Sequence, residues 1–250
     1  MKVSLMNYTG CGHPNPNFAA ALLAYTKNTR LEQGEEGFAR FLAMDFATLE
    51  PELIYIANTL RSSWEFVTFD FQVQGVTRAY THQQVRTRTA SYAQQAQRVV
   101  DLSAGEVIKP DSIAMSPEAS AAWDVAVSAI RDAYKAAQAA GIPNQDARGI
   151  VPTNIATNIC IHMNLRTLAD LVGKRENLRA QGEYADVVRG MAKAALEVMP
   201  WLKPFLYPER LQTPALDKLL KEALGNHSPV ELPDINAALK ELDTLKGTWG

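Results

Sequence analysis

The sequence predicts an α+β fold: a single mixed domain in which a small sheet is packed with long helices. Three observations carry that prediction. Residues 66–76, beginning Phe-Val-Thr-Phe-Asp-Phe-Gln-Val, are aromatic and β-branched with large residues alternating, the pattern of a strand. Residues 118–140 place Trp123, Val127, Ile130, Tyr134 and Ala137 on one stripe and stop at Gly141-Ile142-Pro143. That is a long helix with a glycine-then-proline end. The 250 residues contain no internal repeat, low-complexity tract or linker, so one main domain accounts for the chain.

Taken in order, residues 2–6 alternate weakly and form a short opening strand, followed by the turn-rich segment 10–16. Residues 17–28 and 38–48 carry helical spacing, the latter through Phe38, Phe41, Leu42 and Phe46. Gly34 and Gly37 flank an acidic pair in the loop between them. The strand at 66–76 ends at Gly75, residues 77–86 are helical, and 87–105 form a looser stretch rich in Gln and Thr. Beyond the 118–140 helix, a second long helix begins near Thr153 and carries Ile155, Ile159, Met163 and Leu168. A third runs from Gln181 to Met199, where Pro200 closes it. These elements make a domain of residues 1–205. Residues 206–250, with helices expected near 215–224 and 235–245, form a C-terminal tail packed on it.

Composition narrows the function. An apolar fraction of 47% with 21% charged residues excludes a disordered or collagen-like chain. A net charge of -2 provides no global basic field for nucleic acid. Cys11 and Cys160 lie far apart, so no disulfide framework or cysteine-based zinc site is expected. His13, His82, His162 and His227 lack metal-ligand spacing, and no metal is predicted. No apolar run is long enough to span a membrane, and the first residues reach Asn7 and Thr9 too soon for a signal peptide. A cytoplasmic protein is the expectation.

The distribution of charge says more than its total. Residues 71–100 contain no Asp or Glu, yet include Arg78, Arg86, Arg88 and Arg98. A second acid-free stretch, 147–169, holds Arg148 and Arg166, with Lys174, Arg175 and Arg179 soon after. Planar arginine forks suit phosphate oxygens and base carbonyls, so a phosphorylated ligand is the natural partner; arginines solvated on a helix face are the plainer account. Neither a GxGxxG nor a GxxxxGK[ST] loop occurs, so a phosphate site must be built from side chains and helix ends. Catalytic side chains are scarce. Ser91 has no nucleophile elbow, Cys160 reads as core in a helix, and Glu65 is either a functional carboxylate or a turn acid. Chemistry supplied by a bound cofactor accounts for that scarcity.

The run His82-Gln83-Gln84-Val85-Arg86-Thr87-Arg88-Thr89-Ala90-Ser91 resembles the flavin-dependent thymidylate synthases, whose signature is Arg-His-Arg, seven residues, then Ser. The flanking order agrees: a similar opening segment, Glu65 ahead of the strand, Arg98, the run 147–152, Asn164-Leu165-Arg166 and Lys174-Arg175. The resemblance covers roughly residues 1–200. The departures are specific. Thr87 and Ala96 stand where the family has His and Ser, and Ala93 and Gln94 replace the usual Asn and Glu. Leu60 and Phe66 replace two upstream histidines, and Arg179 a later one.

The resemblance implies FAD as cofactor, NADPH as reductant and methylene-tetrahydrofolate as carbon donor to C5 of a pyrimidine nucleoside monophosphate. Deoxyuridylate, a cytidine or a ribonucleotide substrate, and a methyl or hydroxymethyl product, remain alternatives. So does a flavin- and nucleotide-binding protein that has lost one-carbon transfer. Carried over by position, Gln83, Arg86, Arg98, Arg148 and Arg175 hold the nucleotide, and Arg148 and Arg175 assist the chemistry. Ser62, Glu65, Arg86, Thr87, Arg88, Asn164 and Arg166 line the flavin. A homotetramer with shared active sites is implied, residues 83–98 of one chain facing the Arg148 region of another.

Overall fold

Among the described residues, four antiparallel strands form one sheet: β1 (Lys2–Tyr8), β2 (Thr68–Thr77), β3 (Ser91–Gln94) and β4 (Ala156–Asn164), in the order β1-β2-β4-β3. The computed structural model describes residues 1–28, 37–176 and 182–208. Alternation decides the two faces. Phe69, Phe71 and Val73 of β2 and Thr157, Ile159, Ile161 and Met163 of β4 are buried on one side. Each large apolar side chain among them contributes about 1.5–3 kcal/mol by leaving water. Asp70 and Gln72 of β2, Cys160 and His162 of β4, and Ser91 and Ala93 of β3 share the opposite face, which is open.

The helices are α1 (Phe18–Asn28), α2 (Gly37–Leu42), α3 (Phe46–Thr59), α4 (Arg78–Gln84), α5 (Asp111–Ala114), α6 (Pro117–Ala139), α7 (Asn144–Ala147), α8 (Leu165–Arg175), α9 (Gly182–Val198) and α10 (Lys203–Leu206). Apolar residues of α1, α3, α8, α9 and α10 complete one core with the inner face of the sheet. The backbone of α9 comes so close to β1 that a Cβ at Gly190 would meet Val3 Cγ2 at 2.9 Å. The stripe expected on α6 is its least exposed line, with Tyr134 buried and Trp123, Val127, Ile130 and Ala137 partly so.

Five expectations are corrected. The segment Ala156–Asn164 is a strand, and the helix begins only at Leu165. Positions 155, 159 and 163 satisfy a helical repeat and a strand repeat alike, while the β-branched Thr157, Ile159 and Ile161 decide for the strand. Cys160 is therefore half-buried on the open sheet face rather than core. The helix expected at 38–48 breaks, because Asp45 accepts the Thr48 N–H (2.9 Å) and starts α3. Gly75 does not end β2. It sits at φ +64° within a shift of register between Val73 and Val76, a bulge conformation that glycine adopts without strain. The stretch 87–105, read as loose, contains β3.

The chain divides into two units, Met1–Pro208 and Glu209–Gly250. The second, with the helices expected near 215–224 and 235–245, lies outside the described residues, as does Arg179. No helix of the described residues is long and apolar enough to cross a membrane.

Candidate functional site

The arginine-bearing segment leaves α4 in tight turns. Arg86 N–H bonds the Gln83 carbonyl (3.2 Å), Thr87 N–H the Gln84 carbonyl (3.0 Å) and Ala90 N–H the Thr87 carbonyl (3.2 Å). Arg86 and Arg88 consequently face solvent, and Gln83 and Thr87 are half-buried. A buried polar set holds the turn from below. Tyr80 OH donates to Gln84 Oε1 (3.2 Å), Gln84 Nε2 donates to Tyr92 OH (3.3 Å), and the Tyr92 proton is shared between the Gln84 and Thr87 carbonyls, each 2.8 Å away. Burial pushes the Tyr80 and Tyr92 phenols above their ordinary range, so both remain protonated donors. Gln94, standing where the family has Glu, ties β3 back to α4 through Thr81 Oγ1 (2.8 Å). Ala96 is exposed just beyond β3.

The start of α4 is fixed from a distance. Thr77 Oγ1 accepts the Tyr80 N–H (3.0 Å), while its own N–H (2.7 Å) and hydroxyl (2.5 Å) donate to the Glu183 carboxylate on α9. A capping box normally takes that carboxylate from the third residue of the same helix. Here another helix supplies it.

Of the residues expected to line a flavin, several come together. Thr89 Oγ1 lies 3.0 Å from Thr167 Oγ1, docking the Arg86–Arg88 turn on α8. Asn164 caps α8 by accepting the Thr167 N–H (2.9 Å), and Arg166 pairs with Glu65 (2.7 Å), both half-exposed. Glu65 belongs to a 3-10 turn, Ser63–Phe66. Ser62 precedes it and lines a cavity of about 280 Å³ with Tyr25, Lys27, Leu60 and Phe66. That volume is at the small end for a cofactor pocket and would house one part of a dinucleotide. Of the expected flavin set only Ser62 is among the cavity's lining residues; the exposed cations Arg86 and Arg88 lie outside it and are of the chemistry that meets a diphosphate.

The nucleotide set is more dispersed. Arg148 ends α7 and donates from Nε to the Gln145 carbonyl (3.0 Å), with its side chain otherwise exposed; Arg98 is exposed in the turn after β3. Arg175 ends α8 with its guanidinium carbon 4.9 Å from the Tyr184 ring centre, and its Nε is buried without a partner. The nearby acids are engaged elsewhere, Glu176 by Tyr207 OH (2.8 Å) and Glu183 by Thr77. No hydrogen bond or ion pair among the described residues joins Arg98 or Arg148 to Arg175. Arg61, Arg166 and Arg189 pair with Asp170, Glu65 and Asp186, whereas Arg86, Arg88, Arg98, Arg148 and Arg175 form no ion pair among the described residues.

One residue outside the expected set joins them. Arg78, half-buried at the first position of α4, is held below the ordinary guanidinium value by burial and then by the charge of Arg148. Its signal was present in the sequence, as the first arginine of the 71–100 acid-free stretch. No group of three or more His, Cys, Asp or Glu side chains able to hold a metal occurs among the described residues.

Comparison with known proteins bears on this arrangement. The family model described as thymidylate synthase complementing protein matches residues 17–201. A flavin-dependent thymidylate synthase of Geobacter sulfurreducens is 30% identical over 213 residues, spanning 83% of this chain and 85% of the relative. That of Pyrococcus furiosus is 34% identical over 192 residues, 75% of each chain. The crystal structure of a flavin-dependent thymidylate synthase from Helicobacter pylori, complexed with FAD and dUMP, superposes with a TM-score of 0.61 at 17% identity. The match covers 84% of this chain and 99% of that one, a likeness of fold.

Proposed function

Because the chain belongs to the flavin-dependent thymidylate synthase family, we propose that it methylates C5 of dUMP, with FAD as cofactor, NADPH as reductant and methylene-tetrahydrofolate as carbon donor. The observation that carries this reading is the set of arginines that have no carboxylate partner among the described residues, with Arg148 close enough to Arg78 to add its charge to the burial that lowers Arg78's hold on its proton. Like charges gathered in a folded chain repel, and an anionic ligand between them reverses the sign. Arg98 and Arg148, with Arg78, take the phosphate, and Gln83 and Arg86 hold the remainder of the nucleotide. Arg175 faces a pyrimidine carbonyl and stabilises the negative charge that develops there as C6 is attacked or C5 becomes nucleophilic. Ser62, Glu65, Thr87, Arg88, Asn164 and Arg166 hold the flavin, with Arg86 between the two ligands. The bound flavin supplies the hydride. The same reading makes the enzyme a cytoplasmic homotetramer, residues 83–98 of one chain facing the Arg148 region of another. Residues 1–205 carry the site and 206–250 are a C-terminal tail.

Incubation with dUMP, methylene-tetrahydrofolate, FAD and NADPH, followed by mass analysis of the base, is expected to show one added methyl group. A protein that binds flavin and dUMP but leaves the base unaltered has lost one-carbon transfer. Arg148→Ala and Arg175→Ala should each weaken dUMP binding about ten- to hundredfold by calorimetry while leaving the melting temperature in place. Lysine at either site restores only part of the affinity, since a point charge lacks the planar fork.

A further inference from the structure

Among the described residues no carboxylate pairs with Arg175, and its guanidinium lies against the ring of Tyr184 instead. Tyr184 is 1% exposed and meets Tyr80 edge to face, 5.3 Å between centres and 79° between planes. Tyr80 bonds Gln84, Gln84 bonds Tyr92, and Tyr92 holds the Thr87 carbonyl. A continuous line of contacts therefore runs from Arg175 through the buried Tyr184, Tyr80 and Gln84 to the partly buried Tyr92 and Thr87. It crosses from α8 to α9, α4 and β3 and adds a second link between α8 and the turn, besides the Thr89–Thr167 hydrogen bond.

Two orphaned atoms separate this arrangement from ordinary core filling. The Tyr184 hydroxyl is buried with no partner, so the phenol is not retained for a hydrogen bond in the chain as it stands. Arg175 Nε is likewise buried and unpartnered. Stacking on a ring face consumes none of the guanidinium N–H groups; it fixes the plane in which they point and leaves the fork open to a flat ligand edge.

Resting on the assignment of Arg175 to the nucleotide, we propose that Tyr184 is a positioning residue. Its ring sets the plane of the Arg175 guanidinium and, through Tyr80 and Gln84, ties that plane to the turn carrying Thr87. What matters is the aromatic face, and neither the hydroxyl nor apolar bulk substitutes for it.

The test uses the full chain reconstituted with FAD and titrated with dUMP. Tyr184→Phe keeps the ring; its dUMP affinity should stay within about twofold of the parent, and its melting temperature should rise as a buried unpaired hydroxyl is removed. Tyr184→Leu keeps bulk without the ring; dUMP affinity should fall about five- to tenfold and KM rise in step, with flavin content unchanged. Combined with Arg175→Ala, the Leu substitution should add no further loss. Native affinity in Tyr184→Leu alongside weakened Arg175→Ala overturns the positioning role, as does equal loss in the Phe variant. Native affinity in Arg175→Ala itself removes Arg175 from the nucleotide, and the proposal falls with it. If Tyr184→Leu does not fold, Tyr184→Met makes the same comparison with a flexible side chain of similar size.

Discussion

Asp70 stands in a row of polar side chains across the open sheet face, where the register aligns Asn7, Asp70, His162 and Ser91. Asn7 Nδ2 donates to one carboxylate oxygen (2.9 Å) and His162 Nδ1 lies 2.6 Å from the other. Partial burial acts to raise the Asp70 pKa. The hydrogen bonds from Asn7 and His162, with the imidazole charge, outweigh it and hold the carboxyl below its ordinary 3.8. A carboxyl depressed in the folded state favours folding above its unfolded value and loses that contribution as pH falls below 3.8 through the folded value. Asp70→Asn removes the titration, so its urea midpoint should decline less steeply than the parent's between about pH 5 and pH 3. Parallel declines would detach Asp70 from acid stability. The arginines were visible in the sequence because acid-free gaps surround them. Tyr184 was not, since an aromatic residue on an amphipathic helix looks like core until the guanidinium above it is located.

At the scale of elements, α4 depends on its borrowed cap. Glu183→Ala strands the Thr77 N–H and hydroxyl in a buried setting, at a cost of about 1–3 kcal/mol. For a chain of this size the melting temperature should drop by roughly 2–4 °C per kcal/mol. Glu183→Gln keeps an acceptor and should lose less; equal melting of the Ala variant and the parent would show that the cap contributes nothing. The strand at β2 and the helix at α6 were legible because their periods are unambiguous, and the end of α6 is marked by Gly141-Ile142-Pro143. The helix expected from Thr153 was misread because residues four apart fit both periods, and β3 because four residues are too few to establish one. The cap of α4 is local only in Thr77; its carboxylate has no local signature, since it belongs to another helix.

For the molecule as a whole, the arginines proposed for the nucleotide lie on three segments, Arg98 in the turn after β3, Arg148 just after α7 and Arg175 at the end of α8. Completion by neighbouring copies predicts a light-scattering mass four times the 27.5 kDa of the chain at micromolar concentration. A mass of one chain would require each site to close within a protomer. The bond from Thr77 to Glu183 reaches across 106 positions, and its effect extends to the order in which the protein is made. A helix of seven residues cannot sustain itself in water, so the segment 78–98 leaves the ribosome as a cationic, unstructured stretch. Its Glu183 cap can form only after α9 has been synthesised. A nascent chain halted ahead of residue 183 thus contains the whole segment 78–98 and lacks the carboxylate that completes its cap.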